Sequence, residues 1–247
     1  MNIENDYVLK KYIENVQFTT TAKKSNKQLQ RDYTKFRKNS REFTQYTLVK
    51  KLINKQNIRE AAKKLGLSRR GTLVFNDEDD TSILFDFILH NWYVGAKKTI
   101  NSFYDKNNGP LSEVNKLILN AMNQSLYRVL VITETLPHSG IIVYDILHLE
   151  KLLLIDNALA KDASVGVLLS TNTLHFGNYI TTTGAGLVVN RSVDEIWSMI
   201  EKLRKKAGNK WRSFNDIPTK FRTEFVSTVI KKGLRDKTSK LDEKMFH

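Results

Sequence analysis

The sequence predicts an α+β fold in which N- and C-terminal helices surround a small five-stranded antiparallel, barrel-like sheet. Three observations carry this expectation. Residues 127–190 hold five short apolar or alternating runs, YRVLVITET, GIIVYDI, KLLLID, SVGVLLSTN and GNYITTTGAGLVV. The connections between them are short, which favours strands that pair with their sequence neighbours and curl. On either side, apolar residues recur every three to four positions, the period of an amphipathic helix.

Residues 1–27 lack a sustained period and include TTTAKKSNKQ, so a loosely ordered basic arm is expected, with a short helix near Tyr7 to Val16. Residues 28–126 form the predicted helical region. Its first helix runs from about Gln28 to Asn54, with Tyr33, Phe36, Phe43, Tyr46, Leu52 and Ile53 as apolar members. In the second, Asn57 caps, Glu60 reaches back, and Ile58, Ala61, Ala62 and Leu65 share a face that ends at Gly66. GTLVF, Gly71 to Phe75, reads as an extended piece.

Four consecutive acids follow in NDEDDTSILFDFILH. Asn76 and Asp77 are N-cap types, and negative charge in a first helical turn is stabilised by ~0.3–1 kcal/mol per group, so capping explains the cluster without a metal. The helix expected from Ser82 carries apolar residues around most of its circumference from Ile83 to Val94, which means burial on most sides. Asp86 and His90 occupy the remaining stripe, four apart and able to touch. A third helix is expected over about Ser112 to Leu126, with Val114, Leu117, Ile118, Ala121, Met122 and Ser125 on one face. After the sheet, residues 191–247 should form two basic helices. Ser192 with Glu195 makes a capping box for one, and a stripe from Phe214 to Ile230 marks the other, stopping at Gly233.

Composition narrows the function classes. The chain has 40% hydrophobic residues and 3 prolines in 247, a globular composition, and Cys is 0, which removes disulfides, thiolate nucleophiles and Cys-ligated zinc. The opening MNIENDYVLKKYIENVQF lacks the apolar stretch of a signal peptide, and no window approaches the ~18 apolar residues of a membrane span, so a soluble cytoplasmic protein is expected. The net charge of +14 is uneven. Residues 1–75 carry 18 basic and 6 acidic side chains, 76–190 carry 7 and 12, and 191–247 carry 15 and 8.

Those basic ends supply the leading functional expectation. Lys23, Lys24, Lys27, Arg31, Lys35, Arg37 and Lys38 interleave with Tyr33 and Phe36, and Lys205, Lys206, Lys210 and Arg212 border Trp211. Cations that neutralise phosphates beside aromatics that stack on bases make a sequence-tolerant surface for nucleic acid or another polyanion. The same lysines also suit a solvated helix face, and the same aromatics a core. A protein–protein adaptor gripping an acidic partner is the first alternative. An enzyme centred on Asp86 and His90 is the second, since a carboxylate orients an imidazole for proton transfer. The competing explanation is that a buried helix pairs its two polar groups to avoid the ~1–3 kcal/mol cost of an unsatisfied one.

Other motifs carry less. IREAAKKLGLS resembles the first helix and glycine turn of a helix-turn-helix, but the residues after it, RRGTLVF, oppose a recognition helix. The Gly184-Ala185-Gly186 segment lacks the third glycine and the strand-to-helix context of a dinucleotide fingerprint, and suits a turn. His138, His148, His175 and His247 fall in or beside predicted turns, and His148 with Glu150 on one strand face does not make a metal site. No metal and no cofactor is implied.

At LGLSRRGTLVFNDEDDTSILFDFILH, LYRVLVITETLPHSGIIVYDIL and VGVLLSTNTLHFGNYITTTGAGLVV, about Ala61 to Val189, the chain resembles a family of uncharacterised bacterial proteins. Its pattern is a helix ending in a leucine-glycine turn, an extended piece, an acidic helix start with a DF core, and a small β unit. Some relatives are labelled SEC-C metal-motif proteins. The resemblance implies the architecture and singles out Asp86; it brings no activity, the cysteine motif is absent here, and both basic ends lie outside it.

Overall fold

The computed structural model describes residues 26–94, 97–106, 111–136, 140–176, 179–189, 191–208 and 214–245. Two short hairpins, β1 (Ser68–Arg69) with β2 (Thr72–Leu73) and β3 (Tyr93–Val94) with β4 (Lys97–Lys98), precede the main sheet of six strands: β5 (Leu126–Leu136), β6 (Gly140–Asp145), β7 (Glu150–Leu154), β8 (Leu168–Phe176), β9 (Tyr179–Thr182) and β10 (Leu187–Val189). β5, β6, β7, β9 and β8 close into a barrel in that order, and β10 lies against β8 outside the ring. Every pairing is antiparallel except β7 with β9, where Leu154 stands opposite Ile180. The expectation of a wholly antiparallel barrel is therefore corrected. The reason is parity: directions cannot alternate around a closed ring of five, so one neighbouring pair must run parallel.

Strand alternation gives the barrel two apolar faces. Leu130, Ile132, Ile141, Val143, Leu154, Leu169 and Ile180 fill the inside. Val129, Val131 and Tyr144 point outward into a larger core shared with helices. The run GNYITTTGAGLVV, expected as one strand, splits into β9 and β10 at Gly184, whose φ is +110°. That backbone conformation strains any L side chain, and a Cβ there would also displace the Arg37 guanidinium, so glycine is favoured. The connection NALAKDA contains a short helix over Asn157–Asp162, capped by Asp156, whose carboxylate accepts from the Ala158 and Leu159 amides.

The helices wrap this barrel. α1 (Asn26–Phe43) continues through a π-helical segment, Thr44–Val49, into Lys50–Leu52. α2 (Lys55–Leu65) is capped by Asn54, three residues earlier than Asn57, which instead donates its amide to the cap. After Gly66 the chain forms a two-residue hairpin, Ser68–Arg69 against Thr72–Leu73. Arg70 and Gly71 both have positive φ, 51° and 82°, the mirror-image turn that tight hairpins favour. A hairpin where a recognition helix would have to start removes the helix-turn-helix reading.

α3 (Glu78–Asn91) begins four residues before the expected Ser82 because Asp77 caps it, accepting from the Asp79 and Asp80 amides. The buried Asp80 accepts from Asn76, and Lys237 closes on Asp77 at 2.6 Å and Asp79 at 3.2 Å. The acidic cluster is thus a helix start clamped by a distant lysine. Ile83, Leu84, Phe87 and Ile88 are all at most 3% exposed, as the apolar circumference predicts. Losing a ring such as Phe87 would cost ~3–5 kcal/mol.

α4 (Thr99–Lys106) and α5 (Glu113–Asn123) follow. On α5 the buried residues are Ile118, Leu119, Ala121 and Met122, whereas Val114 and Leu117 are exposed, so the expected face is rotated. α6 is the short helix Asn157–Asp162. α7 (Val193–Ala207) has the predicted Ser192 cap, and α8 (Thr219–Met245) runs through Gly233 where a stop was expected. Gly233 lies where α8 packs on β10, and a Cβ there would meet Leu187 at an ordinary 3.4 Å, so the helix passes through this position without strain. No helix among the described residues is long and apolar enough to cross a membrane.

Candidate functional site

A groove of about 960 Å³ opens between α1, α3, the start of α6 and the Thr183–Ala185 turn. Its floor is α3. Ser82, Phe85, Asp86, Leu89 and His90 line it because the chain of i, i+3 and i+4 positions puts them on one side of that helix. Its wall is α1, with Arg37, Lys38 and Arg41, and the π-helical segment adds Gln45, Tyr46 and Val49. A π segment widens one turn of a helix and often lies at a functional site.

On the floor His90 is buried and Asp86 is 12% exposed. The Asp86 carboxylate accepts from Asn172 Nδ2 at 2.6 Å, and its other oxygen lies 3.7 Å from His90 Nε2, longer than a hydrogen bond. Burial pushes the Asp86 carboxyl up to about 6, although Thr183, Asn172 and Arg37 pull it down. His90 is 1% exposed, and its Nδ1 stands 2.8 Å from Ser125 Oγ. Burial, with help from Lys98, holds the imidazole down to about 3, so it is neutral at ordinary pH. Removal from water outweighs the carboxylate that would raise its basicity.

Arg37 bridges wall and turn. Its guanidinium donates to the Thr182 carbonyl at 3.2 Å and presses against Gly184. Arg31, Lys35, Lys38 and Arg41 are exposed. At positions i, i+4, i+7 and i+10 they follow one side of α1 over about 15 Å. The aromatics expected to stack on bases are otherwise employed. Tyr33 is 5% exposed and packs on Ile142, Leu153 and Ile155, and Phe36 meets the Phe176 ring edge-on at 4.4 Å. An exposed ring on the groove rim is Tyr46, 67% accessible, with Lys50 5.5 Å from its centroid.

The second basic stretch is built differently. Arg204, Lys205 and Lys206 occupy the last turn of α7, where cations favour the helix dipole, and Lys206 pairs with Glu224 at 2.9 Å. α7 packs on α8 while α1 packs on α5 and over Ile142 and Ile155, so the two stretches sit on different layers. Lys23, Lys24, Lys210 and Arg212 lie outside the described residues, as do Trp211, His138 and His247. Lys27 falls within α1.

The structure joins His148 and Glu150 to two residues that the sequence does not single out, Arg128 and Asp145. Where the barrel interior reaches the first residues of β5, the buried Arg128 ion-pairs with the buried Asp145 and with Glu150, and donates to Thr173 Oγ1 at 2.9 Å. His148 Nδ1 sits 2.7 Å from the same Asp145 carboxylate. The signal was the alternation itself, since Arg128 holds the inward phase shared by Leu130 and Ile132. Among the described residues, no three His, Asp or Glu side chains converge as a metal-ligand group.

A family model matches residues 27–224. The chain belongs to DUF7986, a family of unknown function. The DUF7986 match is wider than the 61–189 stretch on which the sequence resemblance rests, and it takes in α1 and α7, so both described basic stretches are inside the family's extent. No curated protein and no solved structure matches the chain.

Proposed function

We propose that the protein binds nucleic acid, or another polyanion of similar charge spacing, along α1 and into the groove beneath it, without reading sequence. The observation that carries this is the row of Arg31, Lys35, Lys38 and Arg41, exposed and ending at a groove whose rim presents Tyr46. Such a row neutralises successive phosphates, and an exposed ring offers a stacking platform to any base.

The barrel refines the site. Its ring order, with the first strand between the second and fourth and the third beside the fifth, is the connectivity of the OB-type Greek-key barrel. Topology fixes no function. Barrels of that type bind oligonucleotides on the face of strands two and three, here β6 and β7. That face is filled by the chain itself, since Ile142, Leu153 and Ile155 are covered by Tyr33 and Tyr144 is buried. A strand of nucleic acid would therefore meet α1, which lies over the barrel, and not the bare sheet.

The enzyme reading is weaker, because an imidazole held near 3 is a poor base at neutral pH. The family match carries neither an SEC-C label nor a bacterial origin, so no metal role is drawn from it. The test is fluorescence anisotropy with labelled single-stranded DNA and RNA, duplex DNA and a sulfated polysaccharide at several salt concentrations. Affinity that falls steeply with salt and tolerates changes of sequence supports the proposal. Absence of binding near physiological salt to every probe rejects it.

A further inference from the structure

A second, smaller cavity lies where the end of α3, the start of α4, β5 and α8 meet. Its volume is about 20 Å³, and Asn91, Tyr93, Lys98, Ser125, Arg222 and Thr223 are among its lining residues. α1 contributes nothing to it, so it is separate from the polyanion groove.

The lining is rich in donors. Lys98 donates to the Ser125 carbonyl at 2.6 Å, and Arg222 donates to Thr219 Oγ1 at 3.3 Å while its guanidinium lies 5.6 Å from the Tyr93 ring centroid. Asn91 is 6% exposed, and both its side-chain amide nitrogen and the Arg222 Nε are buried without a hydrogen-bond partner. The Thr223 hydroxyl is already committed to the Asn91 and Thr219 carbonyls. No carboxylate is among the described residues that line the cavity. Buried donors are ordinarily satisfied, and buried cations ordinarily paired. Burial and the Arg222 charge hold the Lys98 ammonium down to about 8, the response of a cation lacking a counter-charge.

We propose that this cavity is an oxyanion site that takes a phosphoryl group between Lys98, Arg222 and the Asn91 amide. The space admits one water-sized group, so one phosphoryl oxygen enters and the rest stays at the mouth. Two cations suit a dianion, and a planar guanidinium suits adjacent oxygens. The phosphoryl group can belong to free phosphate or to a phosphate monoester.

The experiment is a thermal melt of the full chain in inorganic phosphate against sodium chloride at matched ionic strength, repeated with a nucleoside monophosphate. A saturable rise in Tm is expected, roughly 3–6 °C at ten times Kd. It should vanish in Lys98→Met, or in Arg222→Gln if the first variant does not fold. It should survive in K35Q/K38Q/R41Q, which separates this site from the groove. A rise with inorganic phosphate assigns a free oxyanion, and a rise confined to the nucleotide assigns a monoester. No rise above chloride with either probe, or a rise undiminished in a folded variant, overturns the site.

Discussion

α1 and α7 are similarly basic in sequence, yet they hold their charges in opposite ways. Most of the α7 cations serve the fold: Arg204, Lys205 and Lys206 sit in the last turn, Arg204 pairs with Glu201 and Lys206 reaches Glu224 on α8, which leaves Lys205 as an end charge. On α1 the exposed Lys35, Lys38 and Arg41 take part in no ion pair among the described residues, and Lys38 and Arg41 line the groove. A count of basic residues therefore does not locate a binding surface. What locates it is which cations remain after the fold has used the others. The expected rule is that removing a committed charge costs stability, whereas removing a spare one costs binding.

Arg128 is the most committed cation, and Arg128→Met should have the largest effect. It leaves the fully buried Asp145 without its guanidinium, with only His148 and the Leu147 and His148 amides remaining, and losing one partner of a buried ion pair typically costs about 3–5 kcal/mol, about a third or more of a domain's stability. Urea unfolding followed by circular dichroism reads this directly. A loss under about 1 kcal/mol would break the rule at its strongest point.

Asp86→Asn comes next and is read against pH. The Asp86 carboxyl is raised from 3.8 to about 6, so its stabilising contribution is full below 3.8 and lost as pH rises through 6. His90 is lowered from 6.5 to about 3, so its contribution is full above 6.5 and lost as pH falls toward 3. The two slopes oppose each other and nearly cancel. With Asp86 replaced, the His90 slope stands alone, and the variant should lose roughly 2–3 kcal/mol more than the wild type between about pH 7 and 4. Parallel stability curves for the two proteins would show that this pair does not titrate as a buried couple.

Smaller effects sharpen the comparison from the other side. Asp77→Ala should cost ~1–2 kcal/mol through the lost α3 cap and the Lys237 pair, without altering polyanion affinity. Lys206→Gln should cost at most ~1 kcal/mol, since the Lys206 and Glu224 side chains are about half exposed. Both are measurable by chemical denaturation, and a drop in affinity from Asp77→Ala would mean that the α3 start belongs to the binding surface.

Local features of the fold were legible, and pairings were not. The five strand runs, the Asp77 cap and the buried circumference of α3 follow from period and capping chemistry that act within a few residues. The parallel β7–β9 closure could not be read, because strand order is set by which edges meet in space. The same limit hid the cation cavity, where Lys98 and Arg222 are brought together from opposite ends of the helical layers. Asp86 and His90 were correctly placed on one stripe of α3, but the depth of their burial, which sets both protonation states, is a property of the packed layers above them. Tyr33 and Phe36 look like a stacking face in sequence and become core because α1 lies directly on the barrel.

The spare cations of α1 are the proposed polyanion contact. The most direct measurement is the slope of log affinity against log salt for a labelled single strand, in the wild type, K35Q/K38Q/R41Q and K205Q/K206Q. The α1 variant should lose about 2 units of slope, as expected for three phosphates at ~0.7 each, and the α7 variant should keep the wild-type slope. Equal slopes for the wild type and the α1 variant, or a loss confined to the α7 variant, would contradict it.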